Sequence, residues 1–445
     1  MDQRAANGST DTMTSPSLGP RIVAPDAAPI LPALVTAKTR RQPDPQSPPI
    51  SPKLRIAKRM LNKLSAAFVL IAVMGGLADS ANARTTQVAE ADSQTAAIER
   101  LVQSEMASRR IPGLQLAIVK NGEIIFAGAY GQSDLETAKP VTELTVFGVN
   151  SISKAFTGVA AMQLVEAGKL DLDASVTQYL EELPASWNEI TVRQILTHTS
   201  GLPEIIDDNT RLIDGAEPDA AWAKVQELPL KYAPGTQYAY NQTGYALMGK
   251  IIEKVSGKPF VDFVREGQFN AAGMEQARFG HTADTVPELA SLYTYLTLQI
   301  TDMRTVGVER SETPMARSEV WPAYMHPTAG VQATARDLAA WVIALQNRKL
   351  VSERGLEQLW TPQQLPDGSY RGFNRTINGY GLGWPSIRRA EHPAITPTGG
   401  DRAAIFIYPE DDLTVIVLTN LLGAGPQRFA DKIASQYIPD LAVEN

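Results

Sequence analysis

The chain has 445 residues, 44% hydrophobic and 20% charged, the balance of a globular protein with a sizeable core. A net charge of −7, with no long basic run after residue 60, argues against a nucleic-acid partner. The absence of cysteine rules out disulfides, thiolate metal sites and a cysteine nucleophile; the four histidines (His198, His281, His326, His392) show no ligand-pair spacing, so no metal and no other cofactor is expected.

Residues 1–59 are rich in Pro, Ser, Ala and Gln and lack periodicity, which predicts a disordered leader. Met60 to Ala83 has a basic start, an apolar core from Ala66 to Ala78 and an Ala81-x-Ala83 end, the pattern of a secretory signal peptide. The core is too short to span a bilayer as a helix, so no stable membrane span is expected. Counted from Met60 the segment has the usual signal length; counted from Met1 it is far too long. Met60 is therefore read as the start of translation, and residues 1–59 as an over-long reading of the gene. The mature chain, periplasmic or secreted, would begin near Arg84 and form one domain over residues 84–445.

Helical spacing of Ile98, Leu101, Val102 and Met106 predicts a helix over 94–109. Two apolar runs, Leu114–Lys120 and Glu123–Gly128, flank Asn121-Gly122 and predict a hairpin. A long apolar helix is expected over 151–168, then short helices at Val176–Leu180 and Ile190–Leu196. Residues 204–230 read as helical but loop-rich. A turn at Pro234-Gly235-Thr236 precedes a helix through Leu247, Ile251, Ile252 and Val255. Residues 275–325 have little clean period and read as an insertion that shapes a cleft. Thr334 caps a helix from Leu338 to Gln346. Strands follow at Gly379–Trp384 and Ile395–Gly400. A second hairpin joins Ala403–Tyr408 to Leu413–Thr419, and a helix over Pro426–Tyr437 closes the chain. Strands at both ends and helices between them predict an α+β fold. One antiparallel sheet is built from the two chain ends and flanked by helices, with a helical lobe from the middle and a site in the cleft between.

Within that plan Ser151 and Lys154 stand three residues apart at the start of the 151–168 helix, on one face and one turn apart. A serine hydroxyl is a poor nucleophile until a base takes its proton. A lysine can be that base if burial lowers its pKa, and helix N-terminal N–H groups favour the negative charge that develops. Ser153 is the weaker candidate, because its neighbour Lys154 points in another direction. No other Ser-x-x-Lys occurs in the chain.

Ser151-x-x-Lys154, Tyr240-Asn241-Gln242 and Pro397-Thr398-Gly399-Gly400 resemble, in order and spacing, the motifs of the penicillin-recognising serine hydrolase superfamily. The resemblance is strongest to its class C β-lactamase-like branch of esterases, D-amino-acid peptidases and β-lactamases. Leu196–Pro203, Pro234-Gly235-Thr236, Thr334–Leu338, Gly379–Trp384 and the last hairpin support it, and it covers roughly residues 94–437. It implies that Ser151 is the acylated nucleophile and that Lys154 accepts or relays its proton. Tyr240 would be the phenol or phenolate that shuttles protons, its pKa pulled down by the nearby ammonium. The N–H groups of Ser151 and Gly400 would form the oxyanion hole, and Gln242, Thr398 and Gly399 would contact substrate. His198 resembles a general base but falls in a loop whose family role is structural.

Two departures bear on the substrate. The third residue of the tyrosine motif, usually Asn, is Gln242, one methylene longer, and the third motif opens with Pro397 where Lys or His is usual. Both touch recognition of a substrate carboxylate, which is costly to desolvate without a partner. Arg402 is placed to make up part of the lost charge. The expected partner is a small ester, amide or peptide, with neutral short-chain esters favoured. The alternatives are a β-lactamase or D-alanyl-D-alanine carboxypeptidase, and a non-catalytic binding or scaffold protein.

Overall fold

Asn121 and Gly122 take left-handed φ values of 51° and 76°, which a two-residue hairpin turn requires and glycine adopts freely. In the computed structural model, which describes residues 93–207, 211–213, 217–301 and 304–441, this turn joins strand Gly113–Lys120 to strand Glu123–Asp134. The expectations for the leader and signal peptide lie outside the described residues.

The second hairpin, Ala403–Tyr408 with Leu413–Thr419, lies beside the first. Leu413–Thr419 pairs antiparallel with Gly113–Lys120, from Leu114 opposite Thr419 to Lys120 opposite Leu413. The two ends of the chain thus meet at the centre of a nine-stranded sheet. Lys139–Pro140 forms one edge, and Ala394–Ile395, Pro385–Ile387 and Gly379–Tyr380 extend the other, with Thr398–Gly399 added beside Ala403–Tyr408. Both faces are covered, so the central strands are apolar throughout rather than alternating. Leu114, Leu116, Ile118, Val415 and Val417 face the helix over residues 93–109 and the C-terminal helix Gln427–Ala434, where Ile98, Val102, Phe429 and Ile433 are buried. Ala117, Val119, Ile405, Ile407, Ile416 and Leu418 face the opposite way, toward helix Ala335–Gln346.

Beyond that helix lies the helical part. Ser153–Glu166 buries almost every side chain, as a helix apolar on all sides must. Phe156 stacks on Trp341 at 3.9 Å between ring centroids, and Trp341 stacks on Trp384 at 5.4 Å, which ties this helix to the sheet side. Among the described residues no helix is long and apolar enough to cross a membrane.

Several boundaries differ from expectation. The Ile190–Leu196 helix starts only at Val192, because Thr191 and Gln194 close a capping box around its first turn. Val176–Leu180 is a single 3₁₀ turn, Val176–Gln178, and among the described residues of 204–230 an α-helix forms over Pro218–Glu227. The expected strand Gly379–Trp384 ends at Tyr380. Ile395–Gly400 is two short strands broken at Pro397, which has no N–H to continue the ladder and whose carbonyl accepts from Ile405 instead. The unreadable stretch 275–325 contains a long two-stranded ribbon, Leu292–Thr301 with Arg304–Arg317, whose register shifts twice and so blurs the period of its sequence.

Candidate active site

Ser151 sits in a 3₁₀ turn, Asn150–Ile152, that leads straight into helix Ser153–Glu166. Asn150 takes a left-handed φ of 49°, and Ser153 clamps the turn: its hydroxyl donates to the Asn150 carbonyl at 2.7 Å and accepts from the Val331 N–H at 2.9 Å. Ser153 is thereby committed to structure, and Ser151 is left half-buried at the cleft.

Lys154 is 1% exposed. Its ammonium reaches Ser151 Oγ at 3.3 Å, Gln242 Oε1 at 2.7 Å and the Thr328 carbonyl at 3.0 Å. All three partners are neutral, so burial dominates and lowers its pKa to about 7, against a weaker upward pull from Glu204. The Tyr240 ring centroid lies 4.8 Å from Nζ. Contrary to expectation, the Tyr240 phenol is not pulled down by the ammonium. Burial raises its pKa, and the charge of Glu204 adds to this; hydrogen bonds with Ser151 and Gln242 offset only part of it. With its pKa lowered to about 7, Lys154 has already lost its charge at the pH where a phenol titrates, so it exerts no Coulomb pull there. Tyr240 therefore rests as a neutral phenol.

His198 is buried, with both ring nitrogens occupied. The Asn241 N–H donates to Nδ1 at 3.1 Å, so the ring proton sits on Nε2, facing the Tyr380 hydroxyl at 3.1 Å. Burial and the nearby Lys154 hold its pKa well below 6.5. This is a neutral structural histidine that positions the loop of Tyr240. Asn241 ties the same loop down, donating to the Leu202 and Pro203 carbonyls and accepting from the Gly244 N–H. Sequence reading missed Glu204, whose carboxylate accepts from the Gln242 N–H at 3.0 and 3.1 Å. Its burial raises its pKa, and its place directly after the Leu202-Pro203 turn was the available signal.

The third motif contributes by close approach. A Cβ on Gly399 would stand 1.9 Å from the Val149 carbonyl oxygen and 3.0 Å from the Ser151 nitrogen. Only glycine lets the strand edge come this close to Ser151. Of Thr398, Gly399 and Gly400, it is Gly400 that lines the cavity onto which Ser151 opens. Gln242 does line it, with its amide oxygen held by Lys154. Arg402 does not replace the missing cation. It is 3% exposed and spent on Glu319 Oε2 at 2.8 Å and the Gly148 carbonyl at 3.1 Å.

Ser151, Gln242 and Gly400 open onto a cavity of about 280 Å³. Its far wall comes from the stretch expected to shape a cleft: Thr294, Leu296, Arg317 and Trp321. Among the described residues no group of three or more His, Asp or Glu is placed to hold a metal ion.

An antiparallel sheet made from both chain ends, with a serine–lysine pair at the head of a buried helix, defines a β-lactamase/transpeptidase-like protein. The profile of the Beta-lactamase family matches residues 98–437, and the chain belongs to that family, whose members are generally serine hydrolases. It is similar to Protein flp of Staphylococcus aureus (strain N315), 24% identical over 369 residues, covering 77% of this chain and 66% of that protein, just under two thirds of its length. A protein of Yersinia enterocolitica named Beta-lactamase is 26% identical over 345 residues, covering 72% of this chain and 84% of that one. Among solved structures the fold is similar to EstCE1, a hydrolase with promiscuous acyltransferase activity, at a TM-score of 0.63 and 21% identity, covering 77% of this chain and 99% of that one.

Proposed function

We propose that this chain is an exported serine hydrolase that works through a covalent acyl-enzyme on small esters or amides. The observation that carries this reading is Lys154 Nζ, buried and with a pKa of about 7, 3.3 Å from Ser151 Oγ. Neutral Lys154 takes the Ser151 proton as Oγ attacks the substrate carbonyl carbon. The oxyanion sits between the N–H groups of Ser151 and Gly400. Tyr240, a neutral phenol beside Ser151 and Lys154, gives its proton to the leaving oxygen or nitrogen and regains one from Lys154. A water molecule then attacks the acyl carbon, giving its proton into the same relay and releasing Ser151.

One relative is named Beta-lactamase, and EstCE1 is named a hydrolase with promiscuous acyltransferase activity. A β-lactamase or D-alanyl-D-alanine carboxypeptidase remains the second reading, favoured by the Yersinia relative and disfavoured by Pro397 and the committed Arg402. The intact serine–lysine contact speaks against a non-catalytic scaffold.

A fluorescent serine-reactive phosphonate should label the wild type and Ser153→Ala, and should fail to label Ser151→Ala. A panel of short p-nitrophenyl esters, D-amino-acid amides and a chromogenic cephalosporin, ranked by kcat/KM, separates the first two readings. Labelling that survives in Ser151→Ala removes the serine from the mechanism. Export rests on the Met60–Ala83 pattern; N-terminal sequencing of secreted material should start near Arg84.

A further inference from the structure

The far wall of the cleft holds two donors with no acceptor. Arg317 and Trp321 both line the cavity that Ser151 opens onto, and their buried Nε and Nε1 find no hydrogen-bond partner among the described residues. Among the described residues Arg317 forms no ion pair: the cleft's carboxylate, Glu319, is taken by Arg402 at 2.8 Å. The rest of that wall is largely apolar, with Leu296, Met325 and Leu422. The Arg317 guanidinium has no counter-charge among the described residues and its buried Nε has no acceptor there, and buried N–H groups left so are costly. An oxyanion supplied by the ligand meets both needs, since guanidinium and indole N–H groups donate and do not accept.

We propose that Arg317 and Trp321 form the receptor for a free carboxylate on the substrate, so that the enzyme prefers anionic esters or amides over neutral ones of the same length. This rests on the serine hydrolase reading and reverses the sequence-based expectation of a neutral substrate. That expectation followed from Pro397 and Gln242, and Arg402, which was to make up part of the charge, is spent on Glu319. The charge lost there reappears across the cleft, on a ribbon whose sequence could not be read. Arg317 stands opposite Leu292 at the base of that ribbon, where strand pairing fixes its backbone. The carboxylate is thus met on the ribbon wall rather than on the strand edge beside Gly400.

The test compares mono-p-nitrophenyl adipate with p-nitrophenyl hexanoate. In the wild type kcat/KM should favour the adipate ester. The adipate-to-hexanoate ratio should fall roughly 10- to 100-fold in Arg317→Gln, recover in part in Arg317→Lys, and fall less in Trp321→Phe. An unchanged ratio in Arg317→Gln, with the hexanoate still hydrolysed, overturns the receptor and leaves the hydrolase reading standing. If neither ester is turned over and no phosphonate labels Ser151, the hydrolase reading has failed. The receptor is then judged by calorimetry of adipate on Ser151→Ala protein. Adipate binding that weakens at least tenfold on adding Arg317→Gln upholds it, and equal binding overturns it.

Discussion

On one wall of the cleft Gly399 lies so close to the Ser151 turn that a methyl group would stand 1.9 Å from the Val149 carbonyl oxygen. On the other, Arg317 Nε and Trp321 Nε1 have no hydrogen-bond partner among the described residues. The first wall is over-determined: Ser153, Asn241, His198 and Lys154 each have their polar atoms engaged within the protein. The second leaves polar capacity for something else to fill. Catalysis needs groups held in one geometry before substrate arrives, whereas recognition needs groups whose best partner is the substrate itself. The contrast predicts that damage to the first wall costs rate on every substrate, and damage to the second costs discrimination.

The largest effects belong to the proton relay. Lys154→Ala and Tyr240→Phe should each lower kcat roughly 10²- to 10⁴-fold, and the double variant should lose little more than the worse single one, because both groups serve one proton path. Steady-state kinetics with a neutral and an anionic ester tests this; a Tyr240→Phe enzyme at near wild-type rate takes the phenol out of the path.

Gly399→Ala should come next. The added methyl must push the strand edge off Ser151, at about 1–3 kcal/mol in stability from overpacking and roughly 10²- to 10³-fold in kcat from a displaced oxyanion donor. Thermal melting and kinetics on the same protein check both. A variant that melts lower yet turns over normally would show that Gly399 matters for packing alone.

The smallest effect is a shift of pH profile. Only neutral Lys154 can accept the Ser151 proton, so kcat/KM should rise with pH and level off above an apparent pKa of about 7. His198 cannot produce this limb, since its pKa lies well below 6.5 and both nitrogens are occupied. The negative charge of Glu204 holds the proton on Lys154. Glu204→Gln removes that charge, so the limb should move to lower pH. A limb that stays in place would mean that Glu204 is uncharged in the working enzyme.

The sheet was legible because its sequence signals are local and redundant. Asn121-Gly122 marks one hairpin, and uninterrupted apolar runs mark the strands that end up covered on both faces. The ribbon over Leu292–Arg317 was not legible, because two register shifts within it destroy the alternation on which reading a strand depends. Ser151 and Lys154 were legible because a helix of regular pitch fixes their relation. Glu204 was not, since its importance comes from the Gln242 N–H that folding brings to it.

What the sequence determined by itself is whatever depends on near neighbours along the chain: the hairpins, the buried helix, the serine–lysine pair and the motif order that places the chain in its family. What the tertiary structure decided depends on distant segments meeting. Burial among neutral partners from residues 242 and 328 lowers the Lys154 pKa. Desolvation keeps the Tyr240 phenol protonated, although the residues as written promised an ammonium-activated base. Pairing with Glu319 removes Arg402 from the cleft and leaves Arg317 as its free cation among the described residues. Each of these is a balance of desolvation against charge, and that balance exists only once the water has been excluded by packing.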